Sequence, residues 1–203
     1  MKRFLSMISL VCACTLVQAQ TALPPVWQSD TQKEVQVSTR TIAYLPPTRI
    51  VWQETTGESS IQGLENLLLP GNGQADLFDG QITRIKNGAT GKASFLLDFG
   101  RELQGGIQVV TGRSSKKEMK IRVRFGESVS EAMCDITPEN GATNDHAIRD
   151  FYLTLPWLGV AEIGNSGFRF VRIDLEEPDA ELSLKEIRAT FGYRNIPYLG
   201  SFK

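Results

Sequence analysis

The sequence predicts an all-β protein, an antiparallel β-sandwich or jelly roll, and three observations lead there. Apolar residues recur at every second position in short runs, most cleanly at Ile121, Val123 and Phe125, which is the period of a half-buried strand. The 203 residues include 18 Gly and 9 Pro, and with Asn and Asp they punctuate those runs as turn residues do. Beyond residue 20 no apolar stripe of helical period persists for about ten residues, so a helical bundle is excluded.

Composition removes several functional classes. With 41% hydrophobic and 22% charged residues, the chain fits a soluble globular protein with mass enough for a core. Lys+Arg number 22 and Asp+Glu 23, a formal charge of −1. There is no cationic surplus to hold nucleic acid phosphates. No apolar stretch after the N-terminus is long enough for a membrane span. A single histidine and 3 cysteines leave little for a zinc site or a disulfide framework.

Residues 1–19 read as a signal peptide. Lys2 and Arg3 precede a mostly apolar stretch over residues 4–16, interrupted by Ser6, Ser9 and Thr15, and Val17-Gln18-Ala19 supplies small residues for cleavage after Ala19. The expected protein is exported, periplasmic or extracellular. Two alternatives remain: a buried first element, or a lipoprotein anchored at Cys14 through Val11-Cys12-Ala13-Cys14. Cleavage after Ala19 removes Cys12 and Cys14, leaving Cys134 without an intramolecular disulfide partner.

Residues 20–47 form a polar lead-in broken by Pro24, Pro25, Pro46 and Pro47, with an edge strand expected over residues 41–45. Residues 48–203 are expected to form the sandwich. A strand is read at 49–53. Turns and loops follow over 57–87, around Leu67, Leu68 and Leu69. Phe95, Leu97 and Phe99 define a strand that Gly105-Gly106 should end, and 107–110 starts the next. In the run 120–125, Ile121, Val123 and Phe125 face a core while Lys120, Arg122 and Arg124 face solvent or a partner. Phe151, Leu153 and Leu155 repeat the pattern. From 168 to 175 the parity changes between Phe168/Phe170 and Val171/Ile173/Leu175, which calls for burial on both faces or a bulge. A long last strand covers 181–191.

No catalytic centre is legible, and neither a metal nor a cofactor is expected. His146, in Asn144-Asp145-His146, lacks a nucleophile-elbow partner and reads as a loop histidine. Asp135, Glu139 and Asp145 match no calcium loop. Glu127 and Glu131 suggest the carboxylate pair of a glycosidase, but a four-residue spacing has meaning only on a helix, and Glu127 follows a strand. A catalytic thiol at Cys134 would need a basic neighbour; a small hydrophobe fits better. Trp27, Trp52, Trp157 and Tyr152 could stack on sugar rings or belong to the core.

Longer runs carry a family resemblance. The stretch Phe95-Leu96-Leu97-Asp98-Phe99-Gly100-Arg101-Glu102-Leu103-Gln104-Gly105-Gly106 is followed by Arg124-Phe125-Gly126-Glu127-Ser128 and Thr143-Asn144-Asp145-His146-Ala147-Ile148-Arg149-Asp150. Then come Gly167-Phe168-Arg169-Phe170-Val171-Arg172-Ile173 and Tyr198-Leu199-Gly200-Ser201-Phe202. In this order they resemble the N-terminal β-sandwich region of Bacteroides-type α-L-rhamnosidases of glycoside hydrolase family 78. The resemblance implies a galactose-binding-like sandwich. It also implies that catalysis belongs to an (α/α)6 barrel whose acid-bearing motif has no counterpart here, so no catalytic residue is carried over and the chain alone is expected to be inactive. The expected role is an accessory module that packs on that catalytic domain and shapes its sugar site. The alternative is an independent carbohydrate-binding protein using Trp157, Tyr152, Asn144, Asp145 or His146 on rhamnose-containing glycans. Ile196, Pro197, Tyr198, Leu199 and Phe202 are expected either to head for the catalytic domain or to fold back as a strand.

Overall fold

The computed structural model describes residues 40–75, 77, 80–136 and 149–194. The signal-peptide segment, the loop bearing Asn144, Asp145 and His146, and residues 196–202 lie outside them. The described residues form nine strands, β1 (Arg40–Leu45), β2 (Arg49–Thr55), β3 (Ser60–Gln62), β4 (Thr83–Asn87), β5 (Ala93–Thr111), β6 (Glu118–Gly126), β7 (Asp150–Pro156), β8 (Gly159–Leu175) and β9 (Ala180–Arg194). Among the described residues a 3-10 turn spans Leu64–Leu68, and one short helix, α1, spans Val129–Met133. All the strand pairings are antiparallel.

The fold is an all-β sandwich whose two layers share β5 and β8. The first half of β5 lies between β2 and the last part of β8, which then pairs with β6, and β6 with β7. The second half of β5 lies between β9 and the first part of β8. β1 and β4 divide the outer edge of β9 between them, with β3 beyond β4. Between the layers the register jumps: Asp98 opposes Phe170, and the next pair is Leu103 with Phe168. Gly100, at φ +79°, sits in that step, in a region L side chains avoid. Inner-face residues of both layers meet in one buried cluster, Phe95, Leu97, Ile121 and Val123 against Ile107, Leu182, Leu184 and Ile187. Each is worth roughly 1.5–3 kcal/mol of gross burial.

Several expectations change here. Gly105-Gly106 does not end a strand; β5 continues through it. A Cβ on Gly106 would overlap the backbone oxygens of Ile163 and Gly164, so the glycine serves close approach rather than chain reversal. Residues 57–87 contain β3 and β4, missed because both are short and half polar. Leu64 and Leu67 are buried there, whereas Leu69 is 46% exposed. The parity change in β8 reflects burial on both faces, beside a register step whose extra residues lie on β5: Phe168 enters the main core, and Phe170 faces the other way, against Leu96 and Ala132 of α1.

The largest correction concerns β6. Arg124 does not face solvent; it is 4% exposed. Helix α1 packs over this outer face, so the alternation of β6 separates two buried environments, one apolar and one charged. Ser128-x-x-Glu131 starts that helix. The Ser128 hydroxyl accepts from the Glu131 amide, and Glu131 Oε2 accepts from the Glu127 amide at 2.9 Å. This is a capping arrangement, so the Glu127/Glu131 spacing has a helical meaning after all, and it is structural. Cys134, half-buried, closes α1.

Candidate functional site

The sequence-predicted aromatics are separate features. Trp157 occupies the β7–β8 turn, 42% exposed, with its carbonyl accepting from the Ser114 amide at 3.2 Å. It borders an apolar depression with Pro156 and Leu158, and a polar one with Arg113 and Glu181. Tyr152 lies on β7, 59% exposed, with Lys120 Nζ 4.4 Å from its ring centroid. Five residues along a strand is about 16 Å, and Tyr152 lines neither depression. Trp52 is half-buried under the Arg172 guanidinium, 4.9 Å from its ring, and packs beside Leu96 and Phe170. Trp27, Asn144, Asp145 and His146 fall outside the described residues.

On the outer face of the first layer, carboxylates are enclosed by arginines. Asp98 accepts from Arg169 Nε at 2.8 Å and Nη2 at 3.0 Å, from Arg49 Nη2 at 2.8 Å and from the Gly100 amide at 2.7 Å. The Arg169 hydrogen bonds, against the cost of burial, hold its carboxyl down at about 2. Asp174 accepts from Arg124 Nη2 at 2.9 Å and Arg172 Nε at 2.8 Å. Burial pushes its carboxyl up, but the Ser94 hydroxyl and the Arg124 and Arg172 charges outweigh it and the net shift is downward. Arg122 makes a two-point contact with Asp150, at 2.9 and 2.6 Å. Every carboxylate here is occupied by cations, a pattern that holds structure together rather than moving protons. Among the described residues no group of His, Cys, Asp and Glu is placed to hold a metal ion, and no helix is long and apolar enough to cross a membrane.

The second layer carries a groove of about 630 Å³ on its outer face. Its floor follows from side-chain parity. Ile42 opposes Gly192, and Tyr44 opposes Thr190, which in turn opposes Gly106. Two glycines in outward positions leave a trough. Ile42 and Tyr44, 59% and 46% exposed, wall it on the β1 side; Gln104, Glu162 and Asn165 wall it on the other. Arg40 and Arg194 are cross-strand partners and close one end.

The Tyr44 ring is held in place from below. Arg188 lies 3.9 Å from its centroid. Arg188 Nε donates to Gln108 Oε1 at 2.8 Å, and Gln108 Nε2 donates to Glu162 Oε1 at 2.6 Å. One relay of side chains therefore fixes both walls. None of these residues belongs to the sequence-derived candidates. Each lies on a different strand, and only register brings them together. The available signal was local: Ile42 and Tyr44 alternate on an edge strand, and glycine recurs inside strands at 106 and 192.

No profile of a known protein family matches the chain, and no curated protein matches it. Among solved structures, it is similar to a rhamnosidase from Klebsiella oxytoca with rhamnose bound, at 13% identity over 75% of this chain and 29% of that one, TM-score 0.47. It is similar to a GH78 family rhamnosidase of Bacillus sp. GL1, at 18% identity over 70% of this chain and 13% of that one, TM-score 0.47. A Streptococcus pneumoniae fucose binding module is similar at 11% identity over 73% of this chain and 96% of that one, TM-score 0.46. The chain thus spans less than a third of either rhamnosidase. Likeness at this level concerns the fold and assigns neither ligand nor activity.

Proposed function

We propose that the chain is a non-catalytic, carbohydrate-binding β-sandwich module of a secreted α-L-rhamnosidase-like glycoside hydrolase, working beside an (α/α)6 catalytic domain. One observation carries the reading: three of the separate stretches that resemble that family meet at one place in the fold. Phe99, Phe125 and Phe168, each from a different stretch, pack edge to face with centroids 5.6 and 5.0 Å apart. Asp98 and Arg169, again from different stretches, form the two-point ion pair. Three of the five stretches that carry the resemblance thus meet at one place, the crossing between the layers.

Expressed with its N-terminus in a bacterial host, the protein is expected in the exported fraction with Gln20 as its first residue, read by N-terminal sequencing; retention of Met1 would refute the signal-peptide assignment. The purified protein is expected to bind rhamnose-bearing glycans in calorimetry and to release no rhamnose from aryl rhamnosides. Hydrolysis abolished by substituting one of its own carboxylates would overturn the non-catalytic reading. A second reading, a free-standing carbohydrate-binding protein centred on Trp157, is favoured by that ring's exposure between two depressions. It requires Trp157→Ala to lower glycan affinity.

A further inference from the structure

We infer that the groove on the outer face of the second layer is a binding site for an acidic glycan, with a pyranose ring on Tyr44 and a uronate carboxylate at the Arg194 end; this rests on the carbohydrate reading above. The groove is of ligand-site size, which runs from about 300 to 1,000 Å³. Its chemistry is mixed in the way a sugar requires. The C–H face of a pyranose is apolar and flat, and an aromatic ring meets it with its electron-rich face. Tyr44 offers such a ring, partly exposed and already oriented by Arg188. Orientation fixed before binding lowers the entropic cost of capture.

The hydroxyl rim of the sugar then falls toward the opposite wall. Gln104 and Asn165 can donate and accept there, and Glu162 can accept. Glu162 is anchored by the Gln108 amide, so it meets the ligand with a fixed oxygen geometry. Arg194 sets the sign of the far end. Its exposed guanidinium, at the end of β9 opposite Arg40, favours a carboxylate and supports fork-like hydrogen bonds. A neutral glycan would leave that end unused.

Gly192 gives a test that does not disturb the fold. Its backbone is outside the left-handed region, and a Cβ there would have only the Gln104 carbonyl oxygen nearby, at 4.0 Å. Gly192→Trp should therefore melt like the parent while filling the trough. The probe is trigalacturonate, with a neutral galactotriose and a rhamnose-bearing neutral oligosaccharide as comparisons, by calorimetry at low salt. The expected result is binding of trigalacturonate that Gly192→Trp abolishes and Tyr44→Ala weakens about tenfold. Arg194→Ala should erase the preference over galactotriose, and added salt should weaken the parent's binding. Equal binding of the neutral and acidic probes, or glycan binding that survives both Gly192→Trp and Tyr44→Ala, overturns the groove assignment and leaves the carbohydrate reading intact. Binding of none of the three probes overturns both.

Discussion

Phe125→Ala is expected to cost the fold about 3–5 kcal/mol, the range for removing a buried aromatic ring, and to lower the melting midpoint by roughly 10 °C. Phe125 is fully buried where the two layers exchange strands. Its ring meets Phe168 at 5.0 Å and Phe151 at 5.8 Å, both nearly edge-on. A third neighbour is backbone. Gly164, at φ +94°, lies so close that a Cβ would stand 2.6 Å from Phe125 Cζ. Gly164→Ala should therefore be costly on two counts, the clash with the ring and the strained backbone. In a Phe125→Ala background the clash disappears and the strain remains. The double variant should consequently lose less than the sum of the single losses, read by urea unfolding of all four proteins. Additivity within about 0.5 kcal/mol would show that ring and glycine are not in contact and would sink this account of the crossing. Phe125→Leu keeps most of the volume and should cost much less than the truncation to alanine.

What the sequence shows of this fold is its local period, and what it hides is everything that depends on register. The inward sets Phe95/Leu97/Phe99 and Ile121/Val123/Phe125 are legible because alternation is a property of consecutive residues. The charged partners of those strands are misread for the same reason. Arg122 and Arg124 look solvated until Asp150 of β7 pairs with Arg122, Asp174 of β8 with Arg124, and Asp135, just past α1, with both. Gly105-Gly106 reads as a break because local statistics attach glycine to turns. In the fold, Gly106 is kept small by the β8 backbone. Helix α1 carries its own signature, Ser128-x-x-Glu131, and could have been found from it. The groove is harder. Tyr44, Gly192, Gln104 and Glu162 each look ordinary in their own strands, and they line one groove only through pairings of β1 with β9, β9 with β5 and β5 with β8.

Asp174→Ala is expected to destabilise the protein by about 3–5 kcal/mol, because it takes a buried carboxylate from two poorly exposed arginines, Arg124 and Arg172, and leaves Arg124 only the more exposed Asp135. The Asp174 and Arg124 side chains are each 5% exposed, with 2.9 Å between Oδ2 and Nη2. Arg124 Nε has no hydrogen-bond partner, so its guanidinium already sits in a costly environment. Arg124→Met/Asp174→Leu removes both buried charges and their desolvation penalties but still takes the Asp174 carboxylate from Arg172, so it should recover only part of the loss. A double variant as unstable as Asp174→Ala would mean that the pair is worth more than its desolvation cost. The same carboxylates set the response to acid. Asp98 has its folded pKa held at about 2 by Arg169, whereas an unfolded aspartate titrates near 3.9. A lowered folded pKa contributes stability that is complete above the unfolded value and disappears as pH falls through the folded one. Asp174, shifted in the same direction, adds to that dependence. Stability measured by urea unfolding should therefore hold between pH 7 and pH 5, by about the margin these pKa values set, and decline from roughly pH 4 toward pH 2. Asp98→Asn should flatten that decline, its loss relative to the parent shrinking as the parent's own carboxylate protonates. An acid profile of equal slope in parent and variant would show that Asp98 does not carry the titration.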